Sequence, residues 1–208
     1  STYGHTYLLA EAVAEGAQSV KGTEVKLARF REIPPMPGDT MFNKDKHDAL
    51  YITGQERIAH LPEADLIDLD WADGVIWGTP TRFGNMAVQM KWFIDNAVMA
   101  WKNGTLEGKP TGVFTSSGTL HGGQETTILT SLVPLLHPGM VFLGTPYGEN
   151  PQMMDSSKPM GGSPYGASTI ASGDPDKNVK DEEKGQARAL GKRVALHVHA
   201  LKRAQLIP

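Results

Sequence analysis

Short apolar runs alternate with stretches of helical period along most of the chain, and this alternation limits the fold more than any other feature. An apolar run of three or four residues is too short for a helix. It suits a strand covered on both faces. Val75–Trp77, Gly112–Phe114 and Met140–Leu143 are such runs, and Thr23–Phe30 alternates apolar and polar side chains as a half-buried strand does. Between them lie helical faces: Leu9, Val13, Ala17 and Val20 over residues 7–20; Met86, Met90, Phe93 and Ala97, widened by Ile94; and Leu190, Val194, Val198 and Leu201 over residues 182–203. Residues 124–136 predict another helix, bent or shortened at Pro134. A short helix is expected around Asp45–Gly54, inside a polar connection spanning 31–66. Strands alternating with helices imply an α/β fold, a parallel sheet with helices on both faces. Ligands of such sheets sit beyond the carboxyl ends of the strands, where the strand order reverses.

The 208 residues, 39% of them hydrophobic, suit one domain with a sizeable core, read here as 1–208. Twenty Lys and Arg against 23 Asp and Glu leave a formal net charge of -3. That balance argues against nucleic acid and against a polybasic membrane anchor, both of which need a concentrated basic surface. The absence of cysteine removes disulfides, thiolate metal sites, iron–sulfur ligation and cysteine nucleophiles. No apolar run approaches the roughly 18 residues of a membrane span. Residues 144–175 stand apart, with Gly, Pro and Ser at 16 of 32 positions. A stretch of that composition is either an ordered loop at a site or subunit contact or a disordered linker. Folded-looking sequence on both sides, together with Tyr147 and Tyr165 inside it, favours the ordered loop.

Three polar loops carry the chemistry that the fold would expose. Ser1-Thr2-Tyr3-Gly4-His5-Thr6 precedes a helix, whose first N–H groups attract anions; Gly4 allows close approach, and the loop contains neither Lys nor Arg. Taken alone, the hexapeptide is more often a plain helix cap. Gly78-Thr79-Pro80-Thr81-Arg82-Phe83-Gly84-Asn85-Met86 places hydrogen-bonding groups beside an aromatic ring, which suits a planar aromatic ligand. The competing reading is an ordinary strand-to-helix loop with a surface arginine. Thr115-Ser116-Ser117-Gly118-Thr119-Leu120-His121-Gly122-Gly123-Gln124-Glu125 combines glycine freedom with several donors after a strand. Each signal is weak alone. Together they gain force, because one ligand can touch all three.

Sharper motifs are absent: no G-x-G-x-x-G, no G-x-x-x-x-G-K-[ST], no H-E-x-x-H and no G-x-S-x-G. His197 and His199 fall on different faces of a helix, so they do not form a metal pair. No metal site is expected. His137 beside Pro138-Gly139 reads by itself as a cap or core residue, and Trp101 as a core or interface residue.

The stretches S-T-Y-G-H, A-V-A-E-G-A, G-T-P-T-R-F-G-N-M, G-G-Q-E-T-T, H-P-G-M and G-G-S-P-Y-G-A-S-T-I-A-S-G-D extend from residue 1 to about 174. In these the chain resembles the WrbA-type NAD(P)H:quinone oxidoreductases, which are flavodoxin-like FMN proteins. The resemblance implies a flavodoxin-like parallel sheet of strand order 2-1-3-4-5. Flavodoxin, with FMN at its switch point, is itself the standing illustration of that rule. It implies that Ser1, Thr2, Tyr3, Gly4, His5 and Thr6 hold the FMN phosphate, and that Thr81, Arg82 and Phe83, with Pro80 and Asn85 nearby, hold the ring and ribityl chain. Ser116, Ser117, Gly118, Thr119 and Gly122 form the third FMN loop. The resemblance further implies that His137 approaches the flavin from a neighbouring subunit, as the candidate proton donor to the quinone. By the same resemblance Trp101 is expected to line the quinone and nicotinamide pocket, and Tyr3 to touch the nicotinamide cofactor. The implied reaction is a two-electron, ping-pong reduction of a quinone by NADH or NADPH in a cytoplasmic homotetramer, or a dimer. The alternative is a flavodoxin-type electron carrier, which is usually shorter and more acidic. Family members open with a strand that ends at the serine of the phosphate loop, whereas this sequence starts at that serine. Loss of a central strand would leave its neighbours unpaired. The sequence is therefore expected to be an N-terminally incomplete copy of a longer chain.

Overall fold

The computed structural model describes residues 3–33, 47–171 and 178–207. Helix α1 covers His5–Gln18, α2 His47–Glu56 and α3 Ile67–Trp71; strand β1 is Val75–Pro80. Helices α4 (Val88–Asn96) and α5 (Val98–Lys102) lead to β2, Pro110–Ser117. Helix α6, Gln124–Leu136, precedes β3, Val141–Phe142; β4 is Ser168–Ile170, and α7 closes the order at Asp181–Arg203.

All pairing in this sheet is parallel. β1 runs beside β2 from Val75 opposite Thr111 to Pro80 opposite Ser116. β3 pairs with the amino end of β2 (Pro110 with Val141), and β4 pairs with its carboxyl end (Thr115 with Ser168, Ser117 with Ile170). Thr115 and Ser116 are already paired to β1 on one side, so β4 lies on the other, in line with β3. β1 and β2 are the third and fourth strands of the expected order. β3 and β4 are two halves of the fifth, interrupted by an excursion. The fold is flavodoxin-like, as expected.

Every residue of β2 is buried, because helices cover both faces. Val113 points into a layer formed by Trp77, Met90, Phe93, Ile128 and Leu135, under α4 and α6. Its neighbour Phe114 points the other way, against Leu9, Val13, Leu190 and Val194 of α1 and α7. This is the period-2 alternation of a strand with two covered faces. Gly78 of β1 leaves room for the Phe114 ring: a Cβ there would lie 2.2 Å from its Cζ. Lys109 enters the core with its Nζ donating to the Leu69 carbonyl at 2.9 Å, and burial pushes its ammonium below the ordinary lysine value.

One expectation changes. Thr23–Phe30 forms no strand: its one bridge is at Arg29, which donates to the Pro62 carbonyl at 2.9 Å and accepts from the Ala64 N–H at 2.8 Å. Alternation selects extended backbone with one buried face, but a ladder also needs a neighbouring strand, and none lies alongside among the described residues. Phe30 nonetheless finds its place, stacked on Trp77 with ring centroids 6.4 Å apart. Residues 144–171 are ordered, with 3-10 turns at Tyr147–Glu149 and Pro151–Met154 before β4; 172–175 lie outside the described residues. Buried Glu183 of α7 holds this excursion, accepting from the Gly161 N–H at 2.8 Å and the Thr169 hydroxyl at 2.7 Å. Gln186 donates to the Ser163 carbonyl and to the Thr145 hydroxyl, each at 2.9 Å. The predicted helices over 7–20, 124–136 and 182–203 form. Pro134 lies in the last turn of α6, where its missing N–H is followed by the helix end two residues on. The helix expected at Asp45–Gly54 is α2, His47–Glu56, with 45 and 46 outside the described residues.

Candidate functional site

Parallel pairing puts the carboxyl ends of β1 and β2 side by side, so the loops after Pro80 and Ser117 leave from one rim. Ser116 ties three loops together there. Its carbonyl accepts from the Thr81 N–H at 2.8 Å. Its buried hydroxyl shares a 2.9 Å hydrogen bond with Thr6 in the first turn of α1. Thr81 in turn accepts from the Gly84 N–H at 3.2 Å and from the Thr127 hydroxyl of α6 at 2.7 Å. Gly123 sits so close that a Cβ would lie 3.1 Å from both the Gly84 Cα and the Thr81 hydroxyl. Gln124, the first residue of α6, donates to the Leu120 carbonyl at 2.8 Å and accepts from Ser168 of β4.

At the first loop Gly4 adopts φ +82°, a left-handed conformation that glycine tolerates, and its carbonyl accepts from the Leu8 N–H at 3.1 Å to start α1. First-turn N–H groups of a helix lack intrahelical partners and carry the positive end of its dipole. Gly4, His5 and Thr6 are all buried, so this turn is packed into the rim. Tyr3 is half-buried beside Gly4, and Ser1 and Thr2 lie outside the described residues. In the same turn, burial and the Glu11 carboxylate, which accepts from the Tyr7 hydroxyl at 2.7 Å, push the Tyr7 phenol up to about 12.

The second loop is a tight turn. Arg82 and Asn85 exchange backbone hydrogen bonds at 2.8 and 3.1 Å, and the Arg82 guanidinium donates to the Thr81 carbonyl at 3.1 Å. The turn holds Phe83 at φ 52°, unusual for a residue with a side chain, and leaves its ring fully exposed at 108%. An apolar ring held out at the cost of backbone strain is a candidate contact for a flat ligand. In the third loop Ser117 donates to the Thr119 carbonyl at 2.7 Å, and the Gly122 N–H donates to the same carbonyl at 3.2 Å. Gly118 faces open space.

Trp101 and His137 lie elsewhere. Their rings approach to 6.2 Å between centroids, both exposed. α6 begins at the third loop and ends just before His137, so its 13 residues carry His137 about 20 Å from the rim at the helical rise. Within one chain the three loops form one group, and Trp101 with His137 a second.

Sequence reasoning missed several groups at the rim. Thr127 and Ser168 brace the loops from two different elements. Arg57, just past the end of α2, lies with its Cδ 3.3 Å from where a Gly4 Cβ would be. A cavity of about 350 Å³ is walled by Leu120 of the third loop and by Met153, Pro159 and Met160 of the excursion. Long-range placement alone reveals these. Among the described residues no helix is long and apolar enough to cross a membrane.

A family model for NADPH-dependent FMN reductases matches residues 1–150. A protein of Aromatoleum aromaticum named NAD(P)H dehydrogenase (quinone) is 48% identical over 206 residues, 99% of this chain and 95% of its own. One of the same name from Geotalea uraniireducens is 46% identical, covering 94% of this chain and 92% of its own. The crystal structure of the flavodoxin, WrbA-like protein from Agrobacterium tumefaciens superposes with a TM-score of 0.59 at 26% identity, over 96% of this chain and 93% of that one. The rim of loops, the parallel sheet beneath it and these likenesses agree: the chain belongs to the NADPH-dependent FMN reductase family and, within it, to the WrbA-type NAD(P)H:quinone oxidoreductases.

Proposed function

We propose that the chain is an FMN-dependent NAD(P)H:quinone oxidoreductase whose flavin site is the rim joined at Ser116. That junction carries the reading, because it brings a helix N-terminus, a strained aromatic turn and a glycine-rich loop within reach of one ligand. The donor set fits FMN. First-turn N–H groups of α1 suit a phosphate, Thr81 and the 116–119 loop suit the ribityl chain and ring edge, and Phe83 suits a flat apolar face. When bound, FMN supplies the ring that takes a hydride from NADH or NADPH and passes two electrons to a quinone.

The chain's own residues position and shield. Gly4, His5 and Thr6, with Ser1, Thr2 and Tyr3, hold the phosphate end; Pro80, Thr81, Arg82, Phe83 and Asn85 hold the ring; Ser116, Ser117, Gly118, Thr119 and Gly122 hold its far edge. Phe83 excludes water from the ring once covered. Trp101 and His137 act on the rim of another copy, since their own rim is about 20 Å away along α6. There His137 donates a hydrogen bond or proton to the quinone oxygen, and Trp101 walls the pocket. A homotetramer of single-domain subunits supplies that arrangement. Exposed Trp92, Val98, Met99 and Trp101 on α4 and α5, with Val133 and Leu136 on α6, offer apolar area for a second copy to cover. A cytoplasmic location completes the proposal.

Steady-state NADH consumption by the purified, FMN-loaded protein tests the reading. Turnover that depends on added benzoquinone is the expected result. A colourless protein that takes up no FMN overturns it, and FMN binding with no quinone-dependent turnover points to an electron carrier.

A further inference from the structure

We infer that Arg57 is the counter-charge of the FMN phosphate, supplied to the first loop from a separate helix. The inference rests on the flavin site proposed above and adds a residue to it. The loop 1–6 contains neither Lys nor Arg, although FMN carries a doubly ionised phosphate near neutral pH. The helix dipole and backbone donors stabilise an anion but leave most of that charge uncompensated. In the second loop Arg82 is engaged with the Thr81 carbonyl.

The structure brings a cation to the gap. Gly54 of α2 is buried against Gly4, with its Cα 3.9 Å from the Gly4 Cβ position, a contact that two glycines make possible. Residues three apart on a helix share a face, so Arg57 extends from that contact over the same loop. Its Cδ lies 3.3 Å and its Nη1 3.8 Å from the Gly4 Cβ position. The edge contact between Tyr7 and His60, with centroids 6.0 Å apart, fixes the same segment against the first turns of α1. Arg57 is exposed, and among the described residues it has no carboxylate partner. A guanidinium held at a helix N-terminus without an ion pair matches phosphate geometry, since its paired N–H groups fit two phosphate oxygens.

A competing role is structural, with Arg57 favourably placed at the C-terminus of the α2 dipole. FMN and riboflavin separate the two, because they differ only in the phosphate. Dissociation constants are measured by quenching of flavin fluorescence for wild type, Arg57→Gln and Arg57→Lys, at low and high salt. Arg57→Gln is expected to weaken FMN on the order of tenfold and leave riboflavin unchanged, as loss of one charge-assisted phosphate contact implies. Arg57→Lys should restore part of the preference, and salt should erode it in wild type more than in Arg57→Gln. Equal weakening of both flavins assigns Arg57 a structural role and overturns the inference. A wild-type preference for FMN that survives Arg57→Gln overturns it while leaving the flavin site intact. Wild type that binds FMN no tighter than riboflavin refutes the phosphate loop itself.

Discussion

Replacing Gly16 by Ala should destabilise the protein, whereas the same change at Gly185 should stabilise it. Both glycines are helical, and alanine is the better helix former by about 1 kcal/mol, so propensity alone predicts a gain at both. The packing differs. A Cβ on Gly16 of α1 would lie 2.0 Å from the Arg188 carbonyl oxygen of α7, where ordinary contact begins at 3.4 Å, so the helices must part by more than an ångström. The opposed glycine, Gly191, is as close, 1.9 Å from the Val13 carbonyl oxygen. Backbone cannot swing aside as a side chain can, and the seam includes Leu9, Val13, Leu190 and Val194. Overpacking of this kind costs about 3 kcal/mol at its upper range, leaving about 2 kcal/mol net loss after the propensity gain. On Gly185 a Cβ would meet only the Gln152 Nε2, at 3.9 Å, so the gain of about 1 kcal/mol stands. For a chain of this size that translates to a Tm lower by about 4–8 °C for Gly16→Ala and higher by about 2–4 °C for Gly185→Ala. Thermal melts of the FMN-free protein read both. Because α1 carries Gly4 at its start, FMN affinity should fall with Gly16→Ala only. A Gly16→Ala variant as stable as wild type, or a Gly185→Ala variant that loses as much, would refute the close-packed seam.

Three other predictions bear on the rim. In a double-mutant cycle on Thr6→Val and Ser116→Ala, urea unfolding should give a coupling of about 1 kcal/mol, one buried neutral hydrogen bond; strictly additive losses would mean that the loops are not joined there. Phe83→Ala should leave the Tm of the FMN-free protein unchanged, because the ring touches solvent, yet raise the dissociation constant of FMN or the quinone KM; a Tm drop of several degrees would show that the ring packs in the fold. Tyr7 should give the protein a stability loss in alkali. Burial and Glu11 keep its phenol protonated to about 12 in the fold against 10.0 ordinarily, so its contribution is complete below 10 and lost as pH rises through that window. Urea midpoints followed across the window should fall less steeply in Tyr7→Phe, and parallel curves would discount Tyr7.

The sequence makes the helices and the two central strands legible because their cause is local. Met90 and Phe93, or Leu190 and Val194, repeat at helical spacing, and the apolar run at 112–114 has no reading except a covered strand. The three loops are legible for the same reason, each being a glycine-bearing stretch directly after a strand or before a helix. What stayed hidden depends on partners far along the chain. Thr23–Phe30 has the right alternation, but whether extended backbone becomes a strand is decided by what lies beside it. Nothing near Arg57 in sequence points to Gly4, and nothing near Ser116 points to Thr6, 110 positions away. His137 and Trp101 gained meaning from resemblance alone, and their distance from the rim is a matter of helix length, which only the fold displays.

The interrupted fifth strand explains why residues 144–167 look like a linker and yet are held in place. An edge strand has a single neighbour, so a chain can leave it between Leu143 and Ala167 and rejoin without breaking any bond elsewhere in the sheet. An excursion at β2, buried and paired on both sides, would have severed the core. Its Gly, Pro and Ser content follows from the path: Gly144 and Gly166 lie so close to backbone that a Cβ would fall 2.3 Å from the Pro164 carbonyl oxygen and 2.2 Å from that of Val113. Order comes instead from Glu183 and Gln186 of α7, whose buried polar groups satisfy the excursion's backbone at Gly161 and Ser163. The chain returns at the carboxyl end of β2, where Ser168 bonds Gln124 and Met160 and Leu120 line the same cavity. The excursion through the edge strand thus forms a wall beside the third loop, fixed by a helix on the opposite side of the sheet from α6.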